Sequence, residues 1–124
     1  MIEIGSGGAS GIVVSELLAA VERRDFDAIA HFYADDIEIW HSFSNATAYK
    51  DGAVKMLQSL GDFKSFSYEV QERYVDGPKV FQRHILHVTK ADGQTVQIPT
   101  AAFITVKDGQ IWKVFEYMDP SPLM

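Results

Sequence analysis

Three Asp-Gly pairs, Asp76-Gly77, Asp92-Gly93 and Asp108-Gly109, punctuate the second half of this chain. Such a pair is a strong hairpin signal, because a tight turn between twisted strands needs the positive φ that glycine adopts freely. Between and around the turns lie runs suited to strands: Phe66 to Tyr74, Val80 to Thr89, Val96 to Val106 and Ile111 to Met118. Strands joined by short turns pair antiparallel, so this half reads as a four-strand meander. Pro99 inside the third strand marks a bulge or an edge position. Pro120 and Pro122 stop the chain after the last strand.

The first half has a different period. Ile12, Val13, Leu17, Leu18 and Val21 recur at helical spacing, with Ser10 as the expected N-cap. Asp25 breaks that pattern and is placed to cap a short second helix from Phe26 to Tyr33, with Ile29 and Phe32 inward. Ala34-Asp35-Asp36 reads as a turn. Ile37 to Phe43 then reads as a strand with Ile37, Ile39, His41 and Phe43 on one face. Asp51 to Leu60 is a third helix, with Gly61 as a left-handed cap. Residues 1–9 read as a flexible lead-in, since Gly5-Ser6-Gly7-Gly8 lacks the lysine and spacing of a phosphate loop. Helices segregated to one face of an antiparallel sheet make one α+β domain spanning residues 1–124.

Composition narrows the function classes. With 47% hydrophobic and 23% charged residues, the chain can bury a core. Zero cysteines remove disulfides, zinc–thiolate sites and thiol nucleophiles together. A net charge of −6 disfavours binding to phosphate backbones. No run of residues is apolar enough to span a bilayer, and the start lacks a signal-peptide pattern, so the expected compartment is the cytoplasm. No local ligand spacing such as HExxH is present, and neither a metal nor another cofactor is expected.

Three segments carry a resemblance to a known family. They are Arg24 to Asp36 (RDFDAIAHFYADD), Ile39 to Phe43 (IWHSF), and Lys107 to Trp112 (KDGQIW) followed by Phe115 to Asp119 (FEYMD). In these and in element order, the chain resembles the nuclear-transport-factor-2-like superfamily, and within it the SnoaL-like proteins. Polyketide cyclases, ketosteroid isomerases, limonene epoxide hydrolases and scytalone dehydratase belong to it. The resemblance covers roughly Ile12 to Asp119. It implies a cone-shaped, curved antiparallel sheet wrapped by three N-terminal helices, with a pocket for a small apolar molecule inside. It also implies a homodimer through the outer sheet face, where Trp40, Phe115 and Tyr117 are expected.

Within that expected pocket, His41 falls where isomerase relatives place a carboxylate base, and Glu116 where SnoaL-like cyclases place an aspartate. Histidine can do base chemistry near neutral pH, and a carboxylate among apolar residues has a raised pKa and can hold a proton. On the Val80 strand, His84 is a candidate second proton carrier or donor and Gln82 a ligand contact, although the opposite phase would turn Arg83 and His87 inward. Ile39, Val114, Met118 and Trp112 are expected to line the pocket, with Asp119 at its mouth. The isomerases' oxyanion residues are not reproduced, since Leu17 and Ala102 occupy those positions. The expectation is acid–base chemistry on a small apolar carbonyl or cyclic compound, catalysed by His41, Glu116 and His84. The alternatives are a non-catalytic binder of such a molecule and an interaction module.

Overall fold

The computed structural model describes residues 2–5 and 8–123. Among these, the chain runs β1 (Ile2–Ile4), α1 (Ala9–Glu22), α2 (Phe26–Phe32), β2 (Tyr33–His41), β3 (Ala46–Ala48) and α3 (Lys50–Gln58). Four long strands follow: β4 (Ser65–Asp76), β5 (Lys79–Thr89), β6 (Thr95–Lys107) and β7 (Gln110–Met118). The three turns form as their Asp-Gly pairs require, with Gly77, Gly93 and Gly109 all at positive φ. At the last of them Asp108 is also at positive φ, the pattern of a tight two-residue hairpin turn.

Several boundaries differ from the sequence reading, each for a local reason. Gly8 rather than Ser10 begins α1, its carbonyl accepting the first helical N–H groups, so Ser10 lies within the first turn. Asp25 does cap α2, its carboxylate accepting from the Ala28 amide at 3.1 Å. The chain then passes straight into β2, because Asp35 and Asp36 are anchored rather than turning. Lys50 binds Asp35 at 2.9 Å, and the Trp112 indole donates to Asp36 at 3.1 Å. β2 ends at His41, so Phe43 lies in the turn to β3. Gly61 keeps out of the left-handed region, and α3 tightens instead into a 3-10 turn over Ser59–Asp62. Part of the expected lead-in, Ile2–Ile4, is a strand; Ser6 and Gly7 lie outside the described residues. Pro99 sits one residue before β7 begins to pair with β6, at a locally free edge.

The sheet is curved and open, in the order β1-β4-β5-β6-β7-β2-β3. The antiparallel meander occupies its centre, but β1 joins β4 and β2 joins β7 in parallel, so the sheet is mixed rather than purely antiparallel. The helices pack against β2, β4, β5 and β7 and cover one face. Among the described residues, no helix is long and apolar enough to cross a membrane.

Two β-bulges decide which side chains meet the helices. In β4 the partners jump from Val70↔His84 to Glu72↔Arg83, leaving Gln71 as the extra residue. Alternation therefore inverts: Phe66 and Tyr68 face inward before the bulge, Arg73 and Val75 after it. In β7 the partners jump from Ile111↔Val106 to Lys113↔Thr105, and Trp112 is the extra residue. Ile111 consequently takes the inward place next to Val114.

Ile98 of β6 is packed on the inner face with about 1% of its surface exposed and takes no part in the cavity described below. Replacing it with alanine should cost about 2–5 kcal/mol. Urea denaturation would show this as a lower midpoint with an unchanged slope.

Candidate functional site

Pairing across the sheet aligns one inward residue from each of five strands: Arg73, Gln82, Ala102, Glu116 and His41, in the order β4, β5, β6, β7, β2. Directly opposed residues share a face, so this is a single row on the helix-covered side. Over it lies a cavity of about 340 Å³, bounded on the helical side by Leu17, Leu18, Val21 and Leu57. Phe43 and Met56 line the same cavity while 48% and 43% exposed, and so mark its rim. A space of this size and apolar lining suits a small, largely hydrocarbon molecule.

His41 and Glu116 are neighbours in this row, with Nε2 and Oε1 3.9 Å apart. That is too long for a hydrogen bond but close enough for either group to act on one bound molecule. Burial pushes the Glu116 carboxyl up to about 7 and the His41 imidazole down from its ordinary value. The open part of the Glu116 side chain faces the cavity, so the carboxylate has little water to solvate its charge. Near neutral pH the pair can therefore stand as a carboxylic acid beside a neutral imidazole, with an acid and a base both uncharged.

On β5 the phase is settled. His84 faces the cavity, while His87 points outward and pairs with Glu69 at 2.8 Å. Burial, and then the nearby Arg73 charge, push His84 down to about 4. Gln82 is wholly buried between Arg73 and His84, its amide oxygen 3.0 Å from Arg73 Nε and its amide nitrogen 3.1 Å from His84 Nδ1.

Ile39, Val114 and Met118 line the cavity, as do Leu17 and Ala102. Trp112 and Asp119 do not. The β7 bulge turns Trp112 out of the row, where Lys107 and Lys113 each lie over its ring. Asp119 is exposed and accepts from the Ser121 amide at 3.0 Å, closing the turn after β7.

Four polar residues of the inner face were not anticipated: Arg73, Tyr33, Tyr68 and Thr100, the last buried and lining the cavity. Arg73 is inward only because of the β4 bulge. Tyr33 and Tyr68 line the cavity within electrostatic reach of Glu116, and burial raises both phenols well above their ordinary range. Tyr68 also sets its ring edge-on to His84 at 5.3 Å. The inward alternation of Phe66 and Tyr68 was the available signal for Tyr68; Tyr33, at a helix–strand junction, had none. Among the described residues, no group of three or more histidine, aspartate or glutamate side chains is arranged to hold a metal ion.

The model of the SnoaL-like domain family matches residues 14–114. No curated protein matches the sequence significantly. Among solved structures, a Xanthomonas campestris protein provisionally named a polyketide cyclase is similar over 93% of each chain, with 23% identity and a TM-score of 0.79. A Shewanella putrefaciens protein provisionally named a SnoaL-like polyketide cyclase is similar over 94% of this chain and 93% of its own, at 12% identity and a TM-score of 0.81. An LEH-like epoxide hydrolase of M. tuberculosis is similar over 91% of this chain and 84% of its own, at 18% identity and a TM-score of 0.79. At these identities the likeness is one of fold.

Burial of Glu116 has a consequence for stability. Its folded pKa, about 7, lies above the ordinary carboxyl value of 4.5, so the folded chain binds the extra proton between those values. The stability it contributes is present below the lower value and lost as pH rises through the higher one. Glu116→Gln should therefore gain stability relative to the parent between about pH 5 and about pH 8, by on the order of 1–3 kcal/mol. Urea midpoints for both proteins at the two pH values test this, and a pH-independent difference would contradict it.

Proposed function

The chain belongs to the SnoaL-like domain family, and on that premise we propose that its cavity is an acid–base site acting on a small, largely apolar carbonyl or cyclic compound. The observation that carries this reading is the convergence of His41 and Glu116 at 3.9 Å inside an apolar cavity. In the working state His41 is the base and Glu116 the acid. His41 takes a proton from substrate carbon, and Glu116 gives one to substrate oxygen or to a second carbon. The imidazolium and carboxylate left behind face each other, and a proton passing between them restores the start. Substrate gains and loses one proton in the cycle, so the balance is that of an isomerisation or cyclisation. When the protonated oxygen departs as water, the same steps give a dehydration. Attack by an activated water would give a hydrolysis.

One observation favours a second reading, a binding module without chemistry. Leu17 and Ala102, at the positions where isomerase relatives keep oxyanion donors, contribute only hydrocarbon to the wall. A bound compound recovered unaltered after long incubation would support it.

The opposite face of the sheet supports a homodimer. There the register aligns Tyr74, Phe81, Phe103, Phe115 and Trp40 into an aromatic row across five strands. Phe103 and Phe115 are about half exposed, and Tyr117 packs edge-on against Trp40 and Phe103. An apolar stripe of this kind is an association surface. A cytoplasmic setting fits the lack of cysteine.

Two experiments test these proposals. Incubation with cyclic and bicyclic ketones in D2O, read by mass spectrometry, should show deuterium entering beside the carbonyl. His41→Ala and Glu116→Gln should each slow it by about 10²-fold or more; exchange that survives both removes the pair from the mechanism. Sedimentation should find a dimer for the parent and a monomer for Phe103→Glu, and a monomeric parent would refute the dimer.

A further inference from the structure

Arg73 is a buried cation whose contacts explain more than packing. Its Nη1 donates to the Gly11 carbonyl at 3.3 Å and the Ser15 hydroxyl at 2.6 Å, and its Nε donates to Gln82 Oε1 at 3.0 Å. Glu3 lies opposite it in the β1–β4 register, and its charge favours the guanidinium against the cost of burial. A guanidinium can only donate, so the Gln82 atom facing it must be the oxygen. The amide nitrogen must then face His84, and it too can only donate. His84 Nδ1, 3.1 Å away, is left as the acceptor. A neutral imidazole that accepts at Nδ1 carries its proton on Nε2.

His84 Nε2 has no hydrogen-bond partner within the chain among the described residues. Those residues also include no sealed-off side-chain nitrogen or oxygen lacking a partner. The Nε2–H is therefore open to the cavity that His84 lines. Protonating Nδ1 would set two donors against each other, and the Arg73 charge stands behind them. The chain of contacts opposes both the other tautomer and the imidazolium.

We propose that Arg73 and Gln82 are positioning residues that hold His84 as a neutral imidazole with its proton on Nε2, a fixed donor to a carbonyl or enolate oxygen of the ligand. This rests on the acid–base reading of the cavity and narrows it. Gln82 lines the cavity, but both ends of its amide are taken by Arg73 and His84, so in this arrangement it acts through His84, which donates a hydrogen bond instead of carrying a proton. The ligand must present its oxygen toward His84 and the carbon beside it toward His41 and Glu116, so it sits between these three side chains in the cavity they share. When His41 removes a proton beside a carbonyl, negative charge grows on that oxygen. A fixed N–H backed by a buried guanidinium then stabilises it without rearrangement.

Long-range proton–nitrogen spectra of the full ¹⁵N-labelled chain read the tautomer directly and need no turnover. In the parent, His84 should show the Nε2–H pattern. Gln82→Glu keeps the shape and the Arg73 contact but presents a carboxylate oxygen to Nδ1, so the proton should move to Nδ1 or occupy both nitrogens. A parent spectrum with the proton on Nδ1 overturns the proposal whether or not the variant folds, and an unchanged pattern in a folded variant does so too. The second measurement compares binding of α-tetralone with tetralin, its hydrocarbon counterpart. The ratio of the two affinities should fall by about tenfold from parent to Gln82→Glu. An unchanged ratio, or failure of both probes to bind the parent, refutes the ligand-oxygen role. Loss of the His41 and Glu116 effects on exchange, with the Nε2–H pattern intact, would sink the acid–base reading while leaving the positioning of His84 standing.

Discussion

A strand shows each face only every second side chain, and everything this molecule offers a ligand or a partner follows from that alternation. Two adjacent rows cross the same five strands. The inner row runs Arg73, Gln82, Ala102, Glu116 and His41; the outer row runs Tyr74, Phe81, Phe103, Phe115 and Trp40. One step along the backbone thus separates a polar line under the helices from an aromatic line on the far face. A register slip in a single strand would exchange the two and bury an aromatic in place of a residue of the inner row. The tight Asp-Gly turns, which set the pairing of β4 through β7, therefore hold the site together as much as any contact inside it.

The same alternation explains what the sequence could and could not tell. Along β5 it was enough: Val80, Gln82, His84, Leu86 and Val88 are all buried, although the choice between His84 and His87 needed the folded chain. His41 and Glu116 were legible because resemblance and alternation agreed on their strands. The failures fall at bulges. Period-2 counting from Phe66 and Tyr68 would turn Arg73 to the solvent face, because nothing in Val70-Gln71-Glu72 announces an extra residue, and the same kind of count placed Trp112 inward. A bulge is chosen by how two strands and the helix above them pack together, which no period-2 count contains. Gly11 belongs to that packing. A methyl group there would lie 3.3 Å from Val75 and 3.4 Å from the Glu3 carboxylate, so its bare backbone lets α1 sit close enough for the Gly11 carbonyl to reach Arg73.

Electrostatically, the cavity is arranged to be neutral. Burial raises Glu116 to about 7 and lowers His41 and His84, so each titratable group moves toward its uncharged form. Tyr33 and Tyr68 are held protonated in the same way. Only Arg73 keeps its charge, and it is walled from the cavity by Gln82 and taken up by the helix α1 carbonyl and hydroxyl. A charged ligand would find no fixed counter-ion in the wall and would lose its hydration on entry. An uncharged ligand with one or two oxygens matches every group present.

Neutrality also bears on why acid and base can sit so close. Two groups 3.9 Å apart would ordinarily settle as an ion pair, each stabilising the charge of the other. Here the enclosing hydrocarbon works against separated charge, and the proton can reside on the carboxyl instead. The energy gap between neutral pair and ion pair is then small, since desolvation and mutual attraction oppose each other. A site poised in that way can pass a proton in either direction without a large penalty for its own resting state. Any change that admits water beside Glu116 would tip the balance to the carboxylate. The rim formed by Phe43 and Met56 therefore has an electrostatic part as well as a steric one: by limiting water at the pair, it holds the Glu116 carboxyl toward its protonated form.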